Sequence, residues 1–461
     1  MQFRHARLSR FTSLAALLAA IPCAASAATL CVSHSGPPGC YRTIQAAVNA
    51  AANRDVIHVG PGVYKEDVTI GKPLSLLGDS DTNTDATIID ATGLANGIFV
   101  DGLDNKGLAG VTIAGFTVKN ALYEAIVVVN TSDATIRDNR TINNDLIGPV
   151  FGSGPACKGQ AAFETDESGD CGGGIHLIGV VNSIVSGNYT TQNGDGILLS
   201  DDTGPTHDNL LIGNIAVNNA LECGIVLGSH PPYGSSAPAY ATHYGIYHNT
   251  IAQNVSSLNG VTVGGAGVGI FSDGEGQGRN SQNVIINNVL TGNGIPGVSL
   301  HSHVGPAFGL PADDMNGNMI IGNFISGNGA DTADTATDGP AGININSGGG
   351  GSPVYGTIIT GNVITDESED IAVNTPNEVD AHLNNLLGGK TGVANVCTLD
   401  NGAGAPVCTG SADATQNFWG CPAGPGSGNC STTSGAGIRF NPWLSQPVPA
   451  PSVPNENNHQ Y

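Results

Sequence analysis

One short phrase recurs along much of this chain and constrains its fold more than any other feature. A glycine followed by Ile or Val opens a run in which apolar and polar residues alternate, as they do in a half-buried strand. The apolar residues of these steps are Ile175, Ile197, Ile225, Ile270, Val298 and Ile343. A second phrase, Gly-Asn or a close variant, lies between the runs at 187–188, 213–214, 248–249, 287–288, 322–323 and 361–362. Strand-like units separated by Gly and Asn turns, with no helical period, predict an all-β solenoid, a right-handed parallel β-helix.

The spacing of the steps agrees with this fold. They recur at intervals of about 22 to 45 residues. A bare coil needs roughly 20 residues, since three strands at about 3.3 Å per residue must close one turn, so the excess is loop. Asparagine side chains stacked along the axis can hydrogen-bond one another, which accounts for the Asn-rich turns without any chemistry.

The two ends of the chain differ from the repeats. Residues 1–27 contain Arg4, Arg7 and Arg10, then an apolar stretch, then Ala25-Ser26-Ala27, which are the three zones of a secretory signal. Residues 28–445 are expected to form one β-helix domain, and the Pro-rich, then Asn-rich residues 446–461 a disordered tail. No later stretch is long and apolar enough to cross a bilayer, so we expect a secreted or periplasmic protein.

The charge of the chain limits its partners. The formal net charge is −23, although only 11% of the residues are charged. Such a surface repels nucleic acid and anionic lipid, and it disfavours a basic groove for polyanions. A bound Ca²⁺ or another divalent cation would reverse this locally. We expect a monomer that binds a polysaccharide or another extracellular glycan.

The cysteines fall mostly into close couples. In an exported chain such couples predict disulfides that staple loops and ends. The predicted bonds are Cys31–Cys40, Cys157–Cys171, Cys397–Cys408 and Cys421–Cys430. Cys223 has no such partner and directly precedes a Gly-Ile step, so we expect it to be buried as a small apolar residue.

The termini of the solenoid carry recognisable segments. The Ala-rich residues 43–52 predict a short helix that covers the open end of the solenoid, within a cap at about 29–80. This helix, with DVIHVGPGVYKEDVTI at 55–70 and PLSLLG at 73–78, resembles the opening of exported β-helix proteins that include the pectinesterases and the NosD-like periplasmic proteins. NFWG at 417–420 and NPWL at 441–444 resemble the closing segment of the same superfamily, within a disulfide-containing region at about 395–445. The resemblance implies the fold, and the DFIFG catalytic segment of pectinesterases does not occur in the chain.

One strand position collects titratable residues. Counting five residues on from the Gly-Ile steps gives an ionisable side chain in four successive coils, namely Asp202, His230, Glu275 and His303. Neighbouring strands lie about 4.8 Å apart, so each acid could contact an imidazole. The third and fourth positions add Asp201, Asp273 and His301 as secondary candidates. Alternation places the odd positions on the outer face of the strand, which we expect to face solvent.

Insertions flank this column and predict a cleft above it. One insertion carries Tyr233, Tyr240 and Tyr244, whose rings could stack on a sugar. Arg279 lies near the same face and could neutralise a carboxylate of the substrate. These four residues are the predicted substrate-binding set.

Several functions fit a ladder of acids and imidazoles. Paired carboxylates suit glycosidic hydrolysis, and a His with an acid partner suits the proton abstraction of lyases and epimerases. The same residue types also bind transition metals or Ca²⁺, or form a solvated ladder without function. Our leading hypothesis is an exported protein that binds a polysaccharide in the cleft, with lyase, hydrolase or epimerase activity. The alternative is a non-enzymatic surface or periplasmic module, adhesin-like or NosD-like, that binds a partner or a metal.

Overall fold

A computed structural model describes residues 27–79, 86–145, 173–229, 244–272, 278–302, 309, 311–332, 337, 339–347, 351–396 and 410–454. Its described part contains one α-helix, α1 (Ile44–Ala50), and otherwise strands, β1 to β40 in chain order. Three long sheets run along the molecule, and all their strand pairs are parallel. The chain visits the sheets in a repeating order, so each coil contributes one strand to each sheet. This is a right-handed parallel β-helix, as the repeats predict.

The strands are named by sheet. Sheet A, in spatial order, contains β1 (Thr29–Val32), β2 (Val56–Val59), β5 (Ser75–Gly78), β8 (Thr112–Ala114), β11 (Thr135–Arg137), β14 (Ile184–Ser186), β18 (Leu210–Ile212), β22 (Thr250–Ala252), β26 (Val284–Ile286), β29 (Met319–Ile321), β32 (Ile358–Thr360), β35 (Glu378–His382), β38 (Ser411–Asp413) and β40 (Ile438–Arg439). Sheet B contains β3 (Gly62–Tyr64), β6 (Thr87–Asp90), β9 (Thr117–Lys119), β12 (Arg140–Ile142), β15 (Tyr189–Thr191), β19 (Ile215–Val217), β23 (Val255–Ser257), β27 (Val289–Thr291), β30 (Phe324–Ser326), β33 (Val363–Thr365) and β36 (Asn385–Leu386).

Sheet C contains β4 (Val68–Ile70), β7 (Ile98–Asp101), β10 (Ile126–Val129), β13 (Gly173–Ile178), β16 (Asp195–Ser200), β20 (Ile225–Ser229), β24 (Val268–Ser272), β28 (Val298–Ser302), β31 (Ala341–Asn346), β34 (Glu369–Asn374), β37 (Thr391–Asn395) and β39 (Thr432–Ser434). A short sheet D contains β17 (Thr206–His207), β21 (Ile246–Tyr247) and β25 (Asn280–Ser281). Sheet D lies along the chain between sheets C and A, so it belongs to the turn that joins them.

One continuous apolar core fills the solenoid. Most strands of the long sheets point Ile, Val or Leu side chains inward, and equivalent positions stack from coil to coil. In sheet C the aligned core residues are Ile126, Ile175, Ile197, Ile225, Val268, Val298, Ile343, Ile371 and Val393. Stacking buries these residues on both sides, which explains how a chain this poor in aromatic residues forms a core.

The register of one coil differs from the sequence alignment. Val268, rather than Ile270, pairs with Ile225 and with Val298, and Ile270 pairs with Leu227. Both Gly267-Val268 and Gly269-Ile270 match the repeat phrase, and a slip of two residues keeps every side chain on its face, so alternation cannot distinguish them. Five residues on from Val268 the chain reaches Asp273 instead of Glu275, and both of these residues lie outside the described ranges.

Asparagine ladders run along the axis, as the Asn-rich turns predict. In one ladder each side-chain oxygen accepts from the backbone N–H and the amide of the Asn in the preceding coil. Its members are Asn139, Asn188, Asn214, Asn254, Asn288, Asn323, Asn362, Asn384 and Asn417. Asn249, which the sequence alignment groups with these residues, instead stacks between Asn209 and Asn283 in a separate ladder.

A third ladder ends on a carboxyl group. Asn193, Asn219, Asn259, Asn293 and Asn328 follow one another, and Glu367 occupies the next place. The Glu367 carboxyl accepts from the backbone N–H and the amide of Asn328, at 3.0 and 2.9 Å. Burial raises the pKa of Glu367 to about 7, and burial also raises the pKa of nearby Asp370.

Helix α1 packs against β1, β2 and β4 in the first coils, and its residues Ile44, Ala47 and Val48 join the core. The Glu66 carboxylate accepts from the N–H groups of Ile44 and Gln45, both at 2.9 Å, at the helix N-terminus. The Tyr64 hydroxyl donates to the Gly60 carbonyl at 2.8 Å. Glu66, in the opening segment at 55–70, therefore has a structural role, since it holds the helix on the first coil.

Two predicted disulfides are present, Cys31–Cys40 and Cys421–Cys430. The predicted bonds Cys157–Cys171 and Cys397–Cys408 lie outside the described residues. Cys223 is buried as expected, and its Sγ accepts from the Ala266 N–H at 3.0 Å. No helix among the described ranges has the length and apolar character to cross a membrane.

The C-terminal residues depart from the expected disordered tail. Val448 exchanges two backbone hydrogen bonds with the Asn385 side chain, at 3.0 and 2.9 Å. Val453 packs against a row of apolar residues on the outer face of sheet B that includes Val255 and Val289. The composition is polar and Pro-rich, but Val453 supplies an apolar side chain that can lie on a row of this kind. Through residue 454 the tail is therefore part of the folded structure.

Candidate functional site

The outer face of sheet C is covered, unlike that of sheet A. Strands β13, β16, β20, β28, β31 and β34 are buried at every residue. In sheet A, strands such as β11, β29 and β32 leave both outward-facing residues partly exposed. The expectation that the odd positions of sheet C face outward is consistent with the core, but the expectation that they face solvent is wrong. Alternation decides the face of a side chain, whereas its burial depends on what lies over that face.

A buried series of hydrogen-bonded polar side chains crosses this face in the coils of β10, β13 and β16. Nδ1 of His176 lies 2.7 Å from Oε1 of Glu124, and Nε2 lies 2.8 Å from Oγ of Ser200. The Ser200 hydroxyl in turn donates to Oδ2 of Asp202 at 2.5 Å. Oε2 of Glu124 accepts from the Gly173 N–H at 2.9 Å. Three successive coils therefore connect one predicted residue, Asp202, to a His and a Glu that the column did not include.

The proton positions in this series follow from the donors available. The Ser200 hydroxyl proton points to Asp202, so Nε2 of His176 donates to the Ser200 oxygen. The order Ser–His–Glu is that of a catalytic triad, in which the serine is the nucleophile. Ser200 is fully buried, so its hydroxyl serves here as a hydrogen-bonding link inside the protein.

Asp201 lies in a different environment from its neighbour. Its Oδ2 accepts from the Ser229 hydroxyl at 3.0 Å, and the Ser229 oxygen accepts from the Arg279 N–H at 3.1 Å. Ser229, Ser272 and Ser302 are register partners in successive coils, so Asp201 heads a column of buried hydroxyls. This secondary candidate therefore stabilises the end of the strand.

A second polar group lies three coils beyond β16 on the same face. His301 is 4% exposed, and its Nδ1 lies 3.4 Å from Ser299 Oγ and 3.9 Å from Asp331 Oδ2. Its ring lies 4.5 Å from that of Phe271, measured between centroids. The amide of Asn374 donates to Oδ1 of Asn346 at 2.9 Å, and Asn346 is the register partner of His301. His301, Asn346 and Asn374 thus form a row of outward-pointing polar side chains across three strands.

Apolar residues separate the two polar groups. Leu198, Cys223, Val226 and Ala266 form a small buried cluster with Phe271 and Ile295. Three strand steps of about 4.8 Å separate β16 from β28, so Asp202 and His301 lie about 14 Å apart along the axis. The face is therefore an elongated strip rather than one compact centre. Its length suits a polymer better than a small molecule.

The predicted Arg279 is held beside sheet D. Its guanidinium lies 3.8 Å from the centroid of the Tyr247 ring, and its Nε lies 3.5 Å from Oδ2 of Asp314. The other face of Tyr247 stacks on His207 at 4.7 Å. This stack occupies the Arg279 side chain within the turn between sheets C and A. Tyr244 is half-buried immediately before sheet D.

The remaining predicted site residues, His230, Asp273, Glu275, His303, Tyr233 and Tyr240, lie outside the described residues, and their roles stay predictions. Glu124 and His176 were not predicted, because only the third to fifth residues after the Ile of each step were aligned as candidates. The sequence could have indicated both residues, since each lies within two positions of an apolar residue of sheet C, in Glu124-Ala-Ile126 and Ile175-His176.

Comparison with known proteins agrees with the fold. The family model of the periplasmic copper-binding protein NosD matches residues 70–261, which is less than half of the chain. The A-module of the mannuronan C-5 epimerase AlgE4 from Azotobacter vinelandii is 16% identical, with a TM-score of 0.43, covering 89% of this chain and 95% of that one. An alginate lyase from Paenibacillus sp. str. FPU-7 is 10% identical, with a TM-score of 0.45, covering 86% and 96%.

A third structure, ORF18 of Geobacillus virus E2, is 14% identical with a TM-score of 0.41, and the match covers 72% of this chain and 53% of that one. This chain thus spans about half the length of the viral protein. A search of curated protein sequences found no significant match. The sheet topology is that of a right-handed parallel β-helix, and the NosD family-model match over residues 70–261 agrees with this fold.

Proposed function

We propose that this protein is exported and binds a polysaccharide in the cleft predicted beside the outer face of sheet C, where the buried acidic and imidazole groups support the residues that act on the bound chain. The reaction class is that of a polysaccharide lyase, glycoside hydrolase or epimerase. The supporting observation is that the covered outer face of sheet C carries two groups of buried polar side chains. His176, Ser200, His301, Asn346 and Asn374 all point outward there and are buried.

A buried polar face carries a cost in folding free energy. Burying amides, hydroxyls and imidazoles costs free energy unless each finds a hydrogen-bond partner, and an apolar face would support loops without that requirement. Amide, hydroxyl and imidazole groups in a row are the groups that pair with sugar hydroxyls, and Phe271 supplies an aromatic surface beside His301. Such groups bind the hydroxyls that neutral polysaccharides and uronate polymers share.

Charge and compartment refine the proposal. With a net charge of −23, a neutral polysaccharide should bind without help, whereas a uronate polymer should require divalent cations. The disulfides Cys31–Cys40 and Cys421–Cys430 support an oxidising compartment outside the cytoplasm. The signal peptide predicted at 1–27 agrees with this location.

The test is a panel of neutral and acidic polysaccharides, with binding measured by affinity electrophoresis and turnover by reducing ends and by the absorbance of unsaturated products. His301→Ala and Asn346→Ala should weaken binding at least about tenfold, because each removes a polar side chain from the row that supports the proposed site. His58→Ala is the matched control, since His58 is an exposed histidine in β2 of sheet A. Binding that is unchanged in both sheet C variants would refute the location of the site.

A non-enzymatic module, adhesin-like or NosD-like, is the second candidate, and the NosD family-model match at 70–261 favours it. Within the described part of that segment, no three His, Cys, Asp or Glu side chains present ligand atoms close enough to share one ion. Both nitrogens of His176 are already hydrogen-bonded. These residues therefore do not fit a copper centre. Glycan binding without turnover on any polymer of the panel would favour this candidate over an enzyme.

A further inference from the structure

Three side chains meet on the outer face of sheet A near the C-terminal end of the solenoid. Strands β35 and β38 are neighbours, and Asp380 and Asp413 are register partners. His382, two residues on from Asp380, points from the same face. Its Nε2 lies 3.8 Å from Oδ2 of Asp413 and 4.0 Å from Oδ1 of Asp380. One ligand atom from each of the three residues lies within 4.8 Å of the others.

The orientation of His382 is set by its second nitrogen. Nδ1 lies 2.9 Å from the carbonyl oxygen of Thr415. A carbonyl can only accept, so Nδ1 carries the proton and donates, and Nε2 keeps its lone pair when the ring is neutral. That lone pair faces the two carboxylates. A backbone carbonyl behind a histidine is the usual support of a metal-ligating imidazole, because it fixes the tautomer and the ring plane.

Arg439 occupies the position that a cation would take. It is the register partner of Asp413 in the next strand, β40, and its Nη2 donates to Asp413 Oδ2. The same atom lies 3.9 Å from Oε1 of Glu378, which offers an alternative partner on β35. The hydrogen bond from Arg439 holds the pKa of Asp413 well below its usual range.

We propose that Asp380, His382 and Asp413 form a binding site for a divalent transition-metal ion, with Zn²⁺ as its best probe. One imidazole nitrogen and two carboxylate oxygens suit Zn²⁺ or Cu²⁺, whereas Ca²⁺ takes oxygen ligands only. Three protein ligands leave a fourth position of a tetrahedral ion for water or a further ligand. The three side chains are partly exposed, so an ion can reach them from solvent.

The bound ion would join successive coils. Asp380 and His382 belong to β35 and Asp413 to β38, so an ion held by all three links the two strands through side chains. Arg439 would move from Asp413 to Glu378 as the ion enters. The site lies outside the segment matched by the NosD family model and away from the outer face of sheet C, so it is independent of the proposed glycan site.

The experiment is a titration of the full chain, stripped of metal, with Zn²⁺, followed by calorimetry and by thermal melting. We expect one site whose affinity falls at least about tenfold in Asp380→Asn, since even the loss of a supporting contact costs that much at a metal site. The Asn variant keeps the shape of the side chain. Among the described residues, the substitution removes no hydrogen bond of the Asp380 side chain. His382→Ala should abolish the site, and His58→Ala is the matched control.

Arg439→Gln tests the competition for Asp413. Removing this positive charge should tighten Zn²⁺ binding about fivefold, because a cation a few ångströms away opposes the ion even in water. The wild-type melting temperature should rise with Zn²⁺, and that of His382→Ala should not. Affinity that is equal in wild type, Asp380→Asn and His382→Ala, weaker binding in Arg439→Gln, or no Zn²⁺ binding at millimolar concentration would each overturn the proposal.

Discussion

Nδ1 of His176 lies 2.7 Å from Oε1 of Glu124, although 52 positions separate the two residues along the chain. Each lies beside an apolar step of sheet C, in neighbouring coils, and neither side chain is exposed. A buried carboxylate beside an imidazole is stable only while both partners are present.

Glu124→Ala should therefore lower the free energy of unfolding by about 3 kcal/mol, because it leaves His176 and the Gly173 N–H without their buried acceptor. Chemical denaturation measures the change. Arg137→Ala is the control, since it breaks an ion pair with Asp138 on the surface and should cost less than about 1 kcal/mol. Equal losses in the two variants would show that the buried pair contributes no more than a surface pair.

The asparagine ladder should be most sensitive at its centre. Asn288 accepts from the N–H and the amide of Asn254, and its own amide donates to the Ile251 carbonyl and to Asn323. Asn288→Ala leaves several of these buried groups without partners, so we expect a loss of about 2–4 kcal/mol. Asn49→Ala, at an exposed position of α1, should leave stability nearly unchanged. A small effect at Asn288 would mean that water replaces the ladder.

Glu367 should make stability fall with rising pH. Burial raises its folded pKa from 4.5 to about 7, so the folded state binds the proton more tightly than the unfolded state. This contribution is complete below pH 4.5 and is lost as the pH rises to about 7. Its size is about 3 kcal/mol.

Glu367→Gln mimics the protonated side chain and should remove this part of the pH dependence, which unfolding at several pH values between 4 and 8 will measure. Asp370 shifts in the same direction through burial and keeps its own contribution in the variant. A pH profile that is identical in wild type and Glu367→Gln would contradict the assignment.

The tail should detach when its apolar contact is charged. Val453 packs on the apolar row of sheet B, and Val453→Asp would bring a carboxylate onto that row. We expect faster limited proteolysis near the C-terminus and stronger binding of an apolar fluorescent dye. Ser452→Asp adds the same charge at an exposed neighbouring residue and should change neither signal. Comparable changes in both variants would argue against docking through Val453.

Particular residues show how far the sequence could predict the site. The outward direction assigned to Ser200 and His301 agrees with the structure, since an inward residue at those positions would interrupt the aliphatic stack. Their contacts were not predictable, because Glu124, His176 and Asp331 approach them from other coils and from a loop. The choice between Val268 and Ile270 was equally open, since both satisfy the same alternation.

The amino-acid sequence alone determined the coil. Repeated Gly-apolar steps and Asn turns specify strands, core positions and ladders, because each of these depends on residues within one repeat and its nearest copy. Only the tertiary structure decided which outer faces are covered and which titratable groups meet there. Those properties depend on the paths of insertions of different length, and a local pattern of period two carries no information about what lies above a face.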